Sequence, residues 1–443
     1  MSITDLDLPP SWVAVTLGQV IDYGAAEKAE PEEIAPETWV LELEDIERDS
    51  SRVLQRIPFS VRRSKSTKNR FSRGDVLYGK LRPYLNKVVY ADAPGVCTTE
   101  IVPIKPGSAL AGRYLFYWLR HPEFLRYVTE ISHGVNMPRL GTEAGLKAPL
   151  VLAPLHEQQR IADKLDTVLA RVDACRDRLA RVAPLLKRFR QSVLAAATSG
   201  RLTAVAPGGY RAVPLSGLLQ EPLRNGKSVV DGTGVRVLRL SSLGEKEVKL
   251  DESKRGDWGG IDVGRYFIHA GDFLVARGSG SRELVGRGAL VSTEPEEPVA
   301  FPDTMIRVRP DLTSLNPHYL RAIWDGREVR SQIETSARTT AGIYKISQTD
   351  LESLKVPLPP LDEQTEIVRR VEVLFAFADR LEVRLAQAHT AVDRLTPSLL
   401  AQAFRGELVP QHPEDEPAAE LLKRLATQHE TASARPRRKR ATA

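Results

Sequence analysis

A heptad pattern of apolar residues occurs twice in the chain, 206 positions apart. The apolar spacing alternates between four and three residues from Ile161 to Val193, and again from Ile367 to Leu399. This spacing is typical of a coiled-coil seam, along which two helices pack through one apolar stripe. The residues that we assign to the seam are Ile161, Leu165, Val168, Val172, Leu179, Ile367, Val371, Leu374, Leu381 and Leu385.

The residues that flank each seam are repeated as well. A Pro-Leu-x-Glu-Gln motif opens both copies, at Pro154 and at Pro360, and a related Ser-x-Leu pattern closes them, over 192–202 and 398–408. Such self-similarity at a fixed spacing indicates an internal duplication. Because about 150 residues of different character precede each helix, the sequence predicts the order globule, helix, globule, helix.

Two prolines interrupt the helical pattern. Pro184 lies inside the first seam and Pro397 lies near the end of the second. Proline has no amide N–H and its ring collides with the preceding turn, so we expect a bend or break near each.

The two globules share an outline of strand and turn signals. Gly74-Asp75 and Gly271-Asp272 each precede an alternating apolar run, and a further strand is predicted over 99–104 and over 301–308. With the helical spacing at 113–131, this predicts an α+β fold. The predicted parts are a first globule over 1–153, a helix over 154–203, a second globule over 204–358, a helix over 359–409, and a polar, basic, disordered tail over 410–443.

The composition of the 443 residues is that of an ordinary globular protein with a net charge of +6. Only two cysteines are present, Cys97 and Cys175, which suits a reducing compartment. No apolar run approaches the ~20 residues that a membrane span needs, and the N-terminus lacks the features of a signal peptide. We therefore expect a cytoplasmic protein.

Charge is distributed unevenly within the first globule. Eleven acidic residues face two basic ones over 22–49, whereas eleven basic residues face Asp75 alone over 52–87. A one-sided basic segment is typical of a surface that binds an anionic partner, of which nucleic acid is the commonest. The alternative is that the basic segment compensates the acidic stretch before it.

Loops rich in donors follow the Gly-Asp turns, and long donor side chains on loops can contact both phosphates and base edges. We expect 62–73 to hold phosphates and the later loops to read bases, although Tyr84 could instead pack beneath its loop. The candidate DNA contacts of the first globule are Arg62, Arg63, Lys65, Lys68, Arg70, Lys80, Arg82, Tyr84, Asn86, Lys87, Asn136 and Arg139. Those of the second globule are Arg277, Ser279, Ser281, Arg282, Arg287, Arg338, Thr339 and Tyr344.

Several fragments resemble catalytic motifs but lack a required residue. Over 225–228 the sequence Asn-Gly-Lys-Ser ends like a phosphate-binding loop, yet Glu221 occupies the position of the first glycine. His318 interrupts a motif similar to that of adenine methyltransferases, Pro302-Asp303 lacks the following Glu-x-Lys of a nuclease, and the histidines have no metal spacing. The sequence therefore predicts a protein that binds rather than reacts, without a catalytic residue or a metal site.

Together these motifs resemble those of the specificity subunit of type I restriction-modification systems. The resemblance rests on the segment 74–87, on the paired openings at Pro154 and Pro360, and on the closing pattern over 398–408. It covers the chain to about Val409, and Thr198 departs from it where the second copy has phenylalanine.

The resemblance implies two tandem target-recognition domains, separated by two long antiparallel coiled-coil helices with pseudo-twofold symmetry. Each domain would read one half of a bipartite, asymmetric site in double-stranded DNA. The implied partners are two modification subunits, which carry S-adenosylmethionine and methylate adenine, and restriction subunits that translocate and cut using ATP and magnesium. This chain itself would hold no cofactor.

Two other classes of protein stay open on the residues alone. A coiled-coil scaffold with two protein-binding globules would also have matched helices, its basic segment being merely solvated. A free-standing enzyme is disfavoured because the catalytic motifs are incomplete. A steep dependence of DNA affinity on salt separates a DNA-binding protein from a scaffold.

Overall fold

The computed structural model describes residues 7–131, 136–203, 209–340 and 342–433. The chain forms two compact units, which are described separately. Unit 1 comprises Met1–Arg178 with Ala388–Ala443, and unit 2 comprises Leu179–Gln387. Both mix helices with sheets.

The helices are numbered in chain order over the described residues. They are α1 (Phe59–Arg62), α2 (Gly112–Trp118), α3 (Pro122–Ile131), α4 (Thr142–Lys147), α5 (Leu155–Ala180), α6 (Val182–Thr198), α7 (Pro317–Trp324), α8 (Arg327–Ser336), α9 (Gln348–Glu352), α10 (Leu361–Phe404) and α11 (Ala418–Ser433). Within the described ranges, none of them combines the length and the apolar character that crossing a bilayer requires.

The strands of unit 1 form three sheets. They are β1 (Val13–Thr16), β2 (Lys28–Ala29), β3 (Trp39–Leu41), β4 (Ile57–Pro58), β5 (Lys68–Phe71), β6 (Val76–Gly79), β7 (Val88–Tyr90), β8 (Gly95–Cys97), β9 (Ile101–Ile104) and β10 (Pro149–Leu152). Their orders are β2-β5-β8-β3-β4, β7-β6-β9 and β1-β10. In the first of these sheets β3 and β8 are parallel.

Unit 2 has strands that match most of those in unit 1. They are β11 (Ala212–Pro214), β12 (Leu219–Asn225), β13 (Asp231–Leu238), β14 (Ser253–Gly256), β15 (Phe273–Ala276), β16 (Gly278–Ser279), β17 (Gly288–Leu290), β18 (Val299–Ala300), β19 (Met305–Pro310), β20 (Arg338–Thr340), β21 (Ile343–Lys345) and β22 (Lys355–Pro357). The orders are β12-β19-β15-β17, β14-β13-β18, β16-β21-β20 and β11-β22.

In each unit the core of the globule includes residues from two of the long helices. In unit 1, Phe404 at the end of α10 lies 4.9 Å from Trp118 between ring centroids, and Ile161 of α5 belongs to the same apolar cluster. In unit 2, Leu194 of α6 and Ile367 of α10 share a cluster with the globule. Burial of such large apolar side chains is the main favourable contribution to folding.

The residues assigned to the seam differ in burial. Ile161, Leu165, Val172, Ile367 and Val371 are buried, whereas the other five are partly exposed: Val168, Leu179, Leu374, Leu381 and Leu385. Of the buried members, Ile161 and Leu165 belong to the apolar core of unit 1, and Ile367 and Val371 belong to that of unit 2.

The two prolines have different outcomes in the helices. The helical pattern is interrupted at Arg181, where α5 has ended at Ala180 and α6 starts at Val182. Pro184 lies four residues after Ala180 and has no N–H to donate to its carbonyl, which explains the break. By contrast, α10 continues through Pro397 to Phe404.

The prediction of a disordered tail from residue 410 is wrong for its first part. The backbone N–H of Ala418 donates to the carbonyl of Ser11 over 2.9 Å, and Ala418 and Leu421 are buried in unit 1. Asp415 pairs with Arg160 at 2.6 Å. These apolar and ionic contacts attach the segment to unit 1. The basic run at 435–440 lies outside the described residues.

Candidate nucleic-acid interface

In unit 1 the loop that follows β6 is fixed on both sides by backbone hydrogen bonds. The N–H of Lys80 donates to the carbonyl of Glu100 over 2.9 Å, and the carbonyl of Lys80 accepts from the N–H of Leu140 over 2.9 Å. Leu81 and Arg139 form an antiparallel bridge. The fold thereby joins two loops that are almost sixty residues apart in sequence.

Unit 2 repeats this arrangement at the end of β15. The N–H of Arg277 donates to the carbonyl of Thr304 over 2.8 Å, and the carbonyl of Arg277 accepts from Ile346 over 2.9 Å. Gly278 pairs with Lys345. We call this arrangement the clamp of each unit: it holds Lys80 between Glu100 and Leu140 in unit 1, and Arg277 between Thr304 and Ile346 in unit 2.

The Gly-Asp turns position both clamps. A carboxylate oxygen of Asp75 accepts from the N–H of Ser72 over 2.8 Å, and Asp272 accepts from the N–H of His269 over 2.8 Å. The preceding glycines have φ values of +94° and +91°, which side chains with a Cβ rarely adopt. Gly-Asp therefore closes the turn before β6 and before β15, the strands that lead into the clamps.

The clamp of unit 1 presents cations to solvent. Arg82 is exposed, Lys80 is half-buried, and neither makes an ion pair with a described residue. Arg139 is held by Glu100 at 2.9 Å with its side chain 48% exposed. Asn136 and Tyr84 are exposed, Tyr84 by 44%. The alternative that Tyr84 packs beneath its loop is therefore wrong.

Two residues of the same loop are not available for reading bases. Asn86 is only 8% exposed, and its side-chain oxygen has no hydrogen-bond partner among the described residues. Lys87 donates from Nζ to the carbonyl of Leu43 over 2.7 Å. Asn86 is thus buried, and the ammonium of Lys87 is bonded to a main-chain carbonyl, so this structure presents neither side chain for the predicted base contact.

Part of the basic segment is neutralised inside unit 1. Lys68 is buried and pairs with Glu42 at 2.7 Å, while Arg62 pairs with Glu44 at 2.7 Å and also with the buried Asp45. Burial of a cation without a counter-charge is costly, so these pairs are structural. The alternative of compensation by the preceding acidic stretch holds for these residues, and their assignment as phosphate contacts is wrong.

Arg70 belongs to the same group of paired residues. Its guanidinium lies 3.4 Å from a carboxylate oxygen of Glu27 and 3.4 Å from one of Glu33. By contrast, Arg63 and Lys65 are exposed and make no ion pair with any residue in the described ranges. Of the basic residues from 62 to 70, these two remain as candidate phosphate contacts.

In unit 2 the small sheet β16-β21-β20 brings two predicted loops together. Tyr344 is directly opposite Ser279 on one side and Thr339 on the other, and Arg338 is opposite Lys345. Arg338 and Thr339 are exposed and Tyr344 is half-buried. Residues that the sequence assigns to DNA from two distant stretches therefore form one surface.

The loop after β16 is shaped by its own serines. Ser279 accepts from the N–H of Ser281 over 3.2 Å, and Ser281 accepts from the N–H of Glu283 over 3.3 Å. Arg282 donates from Nε to the carbonyl of Glu334 over 3.0 Å but remains exposed. Arg287, half-buried, has its carbonyl bonded to the N–H of Ala276 over 2.8 Å.

The chain is similar in sequence to known proteins. A family model described as the type I restriction modification DNA specificity domain matches residues 268–388. The EcoKI specificity subunit of Escherichia coli strain K12 is 32% identical over 339 residues, which cover 73% of each protein. The chain belongs to the type I restriction specificity subunits. It is thus a subunit that confers DNA sequence specificity.

Other relatives of this specificity subunit agree. The StySPI specificity subunit of Salmonella potsdam is 33% identical over 346 residues, covering 73% of each protein. The HsdS subunit of Thermoanaerobacter tengcongensis superposes with a TM-score of 0.61 at 22% identity, covering 92% of this chain and 100% of that one. A chain from a structure that describes complex assembly and conformational transition of a type I R-M system superposes with a TM-score of 0.69 at 21% identity. The match covers 90% of this chain and 99% of that one. The two structures establish the fold.

Sequence reasoning about this specificity subunit missed the residues that flank the clamps. The sequence predicts only a strand at Glu100, although its carbonyl accepts from Lys80 and its carboxylate holds Arg139. A carboxylate at the start of a strand is too common to indicate this role by itself. At 226–228 the sequence indicates only an incomplete phosphate-binding loop.

Proposed function

We propose that each unit is a target-recognition domain that reads one half of a bipartite, asymmetric site in double-stranded DNA through its clamp. The proposal rests mainly on one observation: both units make the same backbone hydrogen bonds in their clamps, but the side chains at the corresponding positions differ. Lys80 in unit 1 corresponds to Arg277 in unit 2, and Glu100 corresponds to Thr304. A shared scaffold with different donors and acceptors reads different base pairs.

The exposed cations have two tasks in this proposal. Arg63 and Lys65 contact phosphates, which gives affinity and a salt dependence without sequence information. Arg82, Arg277 and Arg338 reach base edges, where a bidentate arginine on guanine contributes ~1–3 kcal/mol of discrimination. These five cations are exposed, whereas Arg62, Lys68 and Arg70 are held by carboxylates of unit 1 and are not free to contact DNA.

The long helices serve as the spacer between the two recognition domains, as an antiparallel coiled coil. Support comes from ion pairs within each unit, since Arg176 of α5 lies 3.5 Å from Asp393 of α10, and Arg190 of α6 lies 2.6 Å from Asp379 of α10. The alternative of a scaffold for protein-binding globules is not favoured by the relatives, which are named specificity subunits.

Catalysis belongs to partner subunits in this proposal. Two modification subunits carry S-adenosylmethionine and methylate adenine within the site, and restriction subunits use ATP and magnesium to translocate and cut. The chain reads DNA and directs these activities without a cofactor of its own. The support is that the relatives are specificity subunits of type I restriction enzymes.

Mapping of methylated adenines tests the proposal. The chain is expressed with the modification subunits of its own system in a host that lacks other adenine methylation. We expect one bipartite motif with unlike halves, and we expect Arg277→Ala to relax one half while Lys80→Ala with Arg82→Ala relaxes the other. Loss of selectivity in the same half with both variants, or methylation without a motif, contradicts the proposal.

A further inference from the structure

Unit 2 contains a strand that has no counterpart in the matching sheet of unit 1 over the described residues. The sheet β7-β6-β9 of unit 1 corresponds to β17-β15-β19 of unit 2, and unit 2 adds β12 beside β19. β12 is antiparallel to β19 from the pair Leu219 and Pro310 to the pair Asn225 and Ile306. The C-terminal end of β12 therefore lies at the same end of the sheet as the C-terminal end of β15, where the clamp begins.

The chain leaves β12 in a tightly seated turn over 226–228. The N–H of Gly226 donates to the carbonyl of Met305 over 3.2 Å, and the N–H of Lys227 donates to the carbonyl of Phe301 over 3.0 Å. A Cβ on Gly226 would lie 2.2 Å from the carbonyl oxygens of Phe301 and Pro302, so only glycine fits. The turn is thus fixed against the segment 301–305.

This segment connects the turn directly to the clamp. Ser228 donates from its hydroxyl to one carboxylate oxygen of Asp303, and the next residue, Thr304, accepts from the N–H of Arg277. Two fragments that the sequence offered as incomplete catalytic motifs, at 225–228 and at 302–303, are therefore neighbours at the candidate interface.

The side chains at this position are charged and accessible. Lys227 and Asp303 are exposed, and neither forms an ion pair with a residue in the described part of the chain. Ser228 fixes one oxygen of Asp303, whereas the other carboxylate oxygen has no hydrogen-bond partner there. The carboxylate is oriented, and it retains a free acceptor.

An exposed carboxylate on a surface that approaches phosphates is unfavourable by charge repulsion. It becomes favourable where it accepts a hydrogen bond from an exocyclic amino group, and in the major groove Asp and Glu pair with N4 of cytosine. An adjacent lysine offsets the repulsion by contacting a phosphate. Lys227 is exposed and directly precedes Ser228, which is bonded to Asp303, so Lys227 can supply this contact.

We propose that Lys227, Ser228 and Asp303 form a base-reading element of unit 2, in which Asp303 accepts from the amino group of one cytosine and Lys227 holds the neighbouring phosphate. The inference rests on the function proposed above and adds a specificity determinant to it. Because β12 is lacking in the matching sheet of unit 1, this reading mode belongs to one half-site.

The test measures base preference position by position. The full-length chain with its modification subunits is incubated with a randomised duplex library, and the bound duplexes are sequenced for the wild type, for Asp303→Ala and for Asp303→Asn. We expect both variants to lose the preference for a G·C pair at one position of one half-site, by about tenfold. The other half-site stays unchanged and shows that the complex is folded.

Lys227→Ala should behave differently from the Asp303 variants. We expect weaker binding to all sequences alike and a salt slope smaller by about 1, as for the loss of one phosphate contact. The matched controls are Lys249→Ala and Asp251→Ala, which change exposed residues at the opposite end of the β13 and β14 pair. Both should leave affinity and preference as in the wild type.

The outcomes separate this inference from the function on which it rests. If Asp303→Ala keeps every base preference, or weakens both half-sites equally, Asp303 is a structural residue and the inference is overturned. If the wild-type complex itself selects no bipartite motif, the proposed function fails, and the inference fails with it.

Discussion

Lys68 donates a hydrogen bond from Nζ to a carboxylate oxygen of Glu42 over 2.7 Å, and its side chain is only 3% exposed. The pair forms because β5, which begins at Lys68, lies in the same sheet as β3, which Glu42 follows directly. A cation from the basic segment and an acid from the preceding stretch thus meet inside unit 1. Much of the charge contrast along the sequence is compensated within the fold.

Breaking this pair should destabilise unit 1. Lys68→Ala leaves Glu42 without its cation in a partly buried position, and we expect a loss of about 3 kcal/mol in the free energy of unfolding. Lys65→Ala changes an exposed lysine three residues earlier and should stay within about 0.5 kcal/mol of the wild type. Urea denaturation of the full chain measures both. Equal stability of the two variants would contradict a structural role for Lys68.

The clamp cations of unit 1 should contribute to DNA affinity through charge. Replacing Lys80 and Arg82 together by alanine should weaken binding to the cognate duplex, by ~1–3 kcal/mol for the base-edge contact assigned to Arg82. The slope of log affinity against log salt should fall by about 1 for the lost charge of Lys80 near the phosphates. Fluorescence anisotropy with the cognate duplex at several salt concentrations gives the slope.

The matched control for that experiment is Lys105→Ala. Lys105 is exposed and follows the last residue of β9. Lys80 follows Gly79, which pairs with Ile101 at the start of β9, so the two lysines lie at opposite ends of these strands. Its slope should equal that of the wild type. A double variant with the affinity and the slope of the wild type would remove Lys80 and Arg82 from the interface.

The arginines of unit 2 should affect one half-site only. Arg282→Ala and Arg338→Ala each remove an exposed guanidinium from the surface around β16 and β21, and we expect relaxed selectivity at one position, worth ~1–3 kcal/mol. Sequencing of methylated adenines made by the reconstituted complex measures it. Unchanged methylation specificity in Arg282→Ala would leave its bond to the Glu334 carbonyl as a purely structural contact.

The buried His121 predicts a loss of stability in acid. Its ring is stacked on Trp118 with 5.0 Å between centroids, and burial, aided by the charge of Arg405, lowers its pKa from 6.5 to about 4. Between about pH 6.5 and pH 4 the unfolded chain binds a proton that the folded chain does not. Stability therefore falls as the pH decreases through this window, by up to about 3 kcal/mol.

Thermal unfolding of the wild type and of His121→Asn between pH 7 and pH 4 checks this expectation. The variant is less stable at pH 7 because it loses the ring stacking, but it should lose less on acidification. Parallel pH profiles for the two proteins would show that other groups cause the effect.

The C-terminal segment should stabilise unit 1. Truncation after Val409 removes the buried Ala418 and Leu421 and the pair between Asp415 and Arg160. Burial of one leucine side chain contributes about 2 kcal/mol, so we expect a lower melting temperature for unit 1. Truncation after residue 433 removes only the basic end and serves as the control. An unchanged melting temperature after the longer truncation would contradict the attachment.

The sequence predicts the features that depend on local spacing. The long helices, the interruption near Pro184 and the Gly-Asp turns follow from the heptad spacing, from the missing N–H of proline and from the conformational freedom of glycine. The sequence also predicts that the donor-rich loops present cations to solvent, and Arg82 and Arg277 are exposed.

Contacts between distant segments could not be predicted in the same way. Lys65 and Lys68 belong to one basic run, and only the position of β5 within its sheet makes the second a buried partner of Glu42. The bridge between Leu81 and Arg139, and the approach of Ser228 to Asp303, join segments with no common period in sequence. Tertiary pairing decided which of the predicted residues reach solvent.

The clamps are made of main-chain groups, through the peptide units of Lys80 and Arg277. A peptide unit offers the same N–H and carbonyl whichever side chain it carries, so replacing the exposed side chain leaves these bonds in place. We therefore expect a substitution at either position to change the groups offered to DNA while the fold around it is kept. A family with this construction would diverge in target sequence faster than in structure.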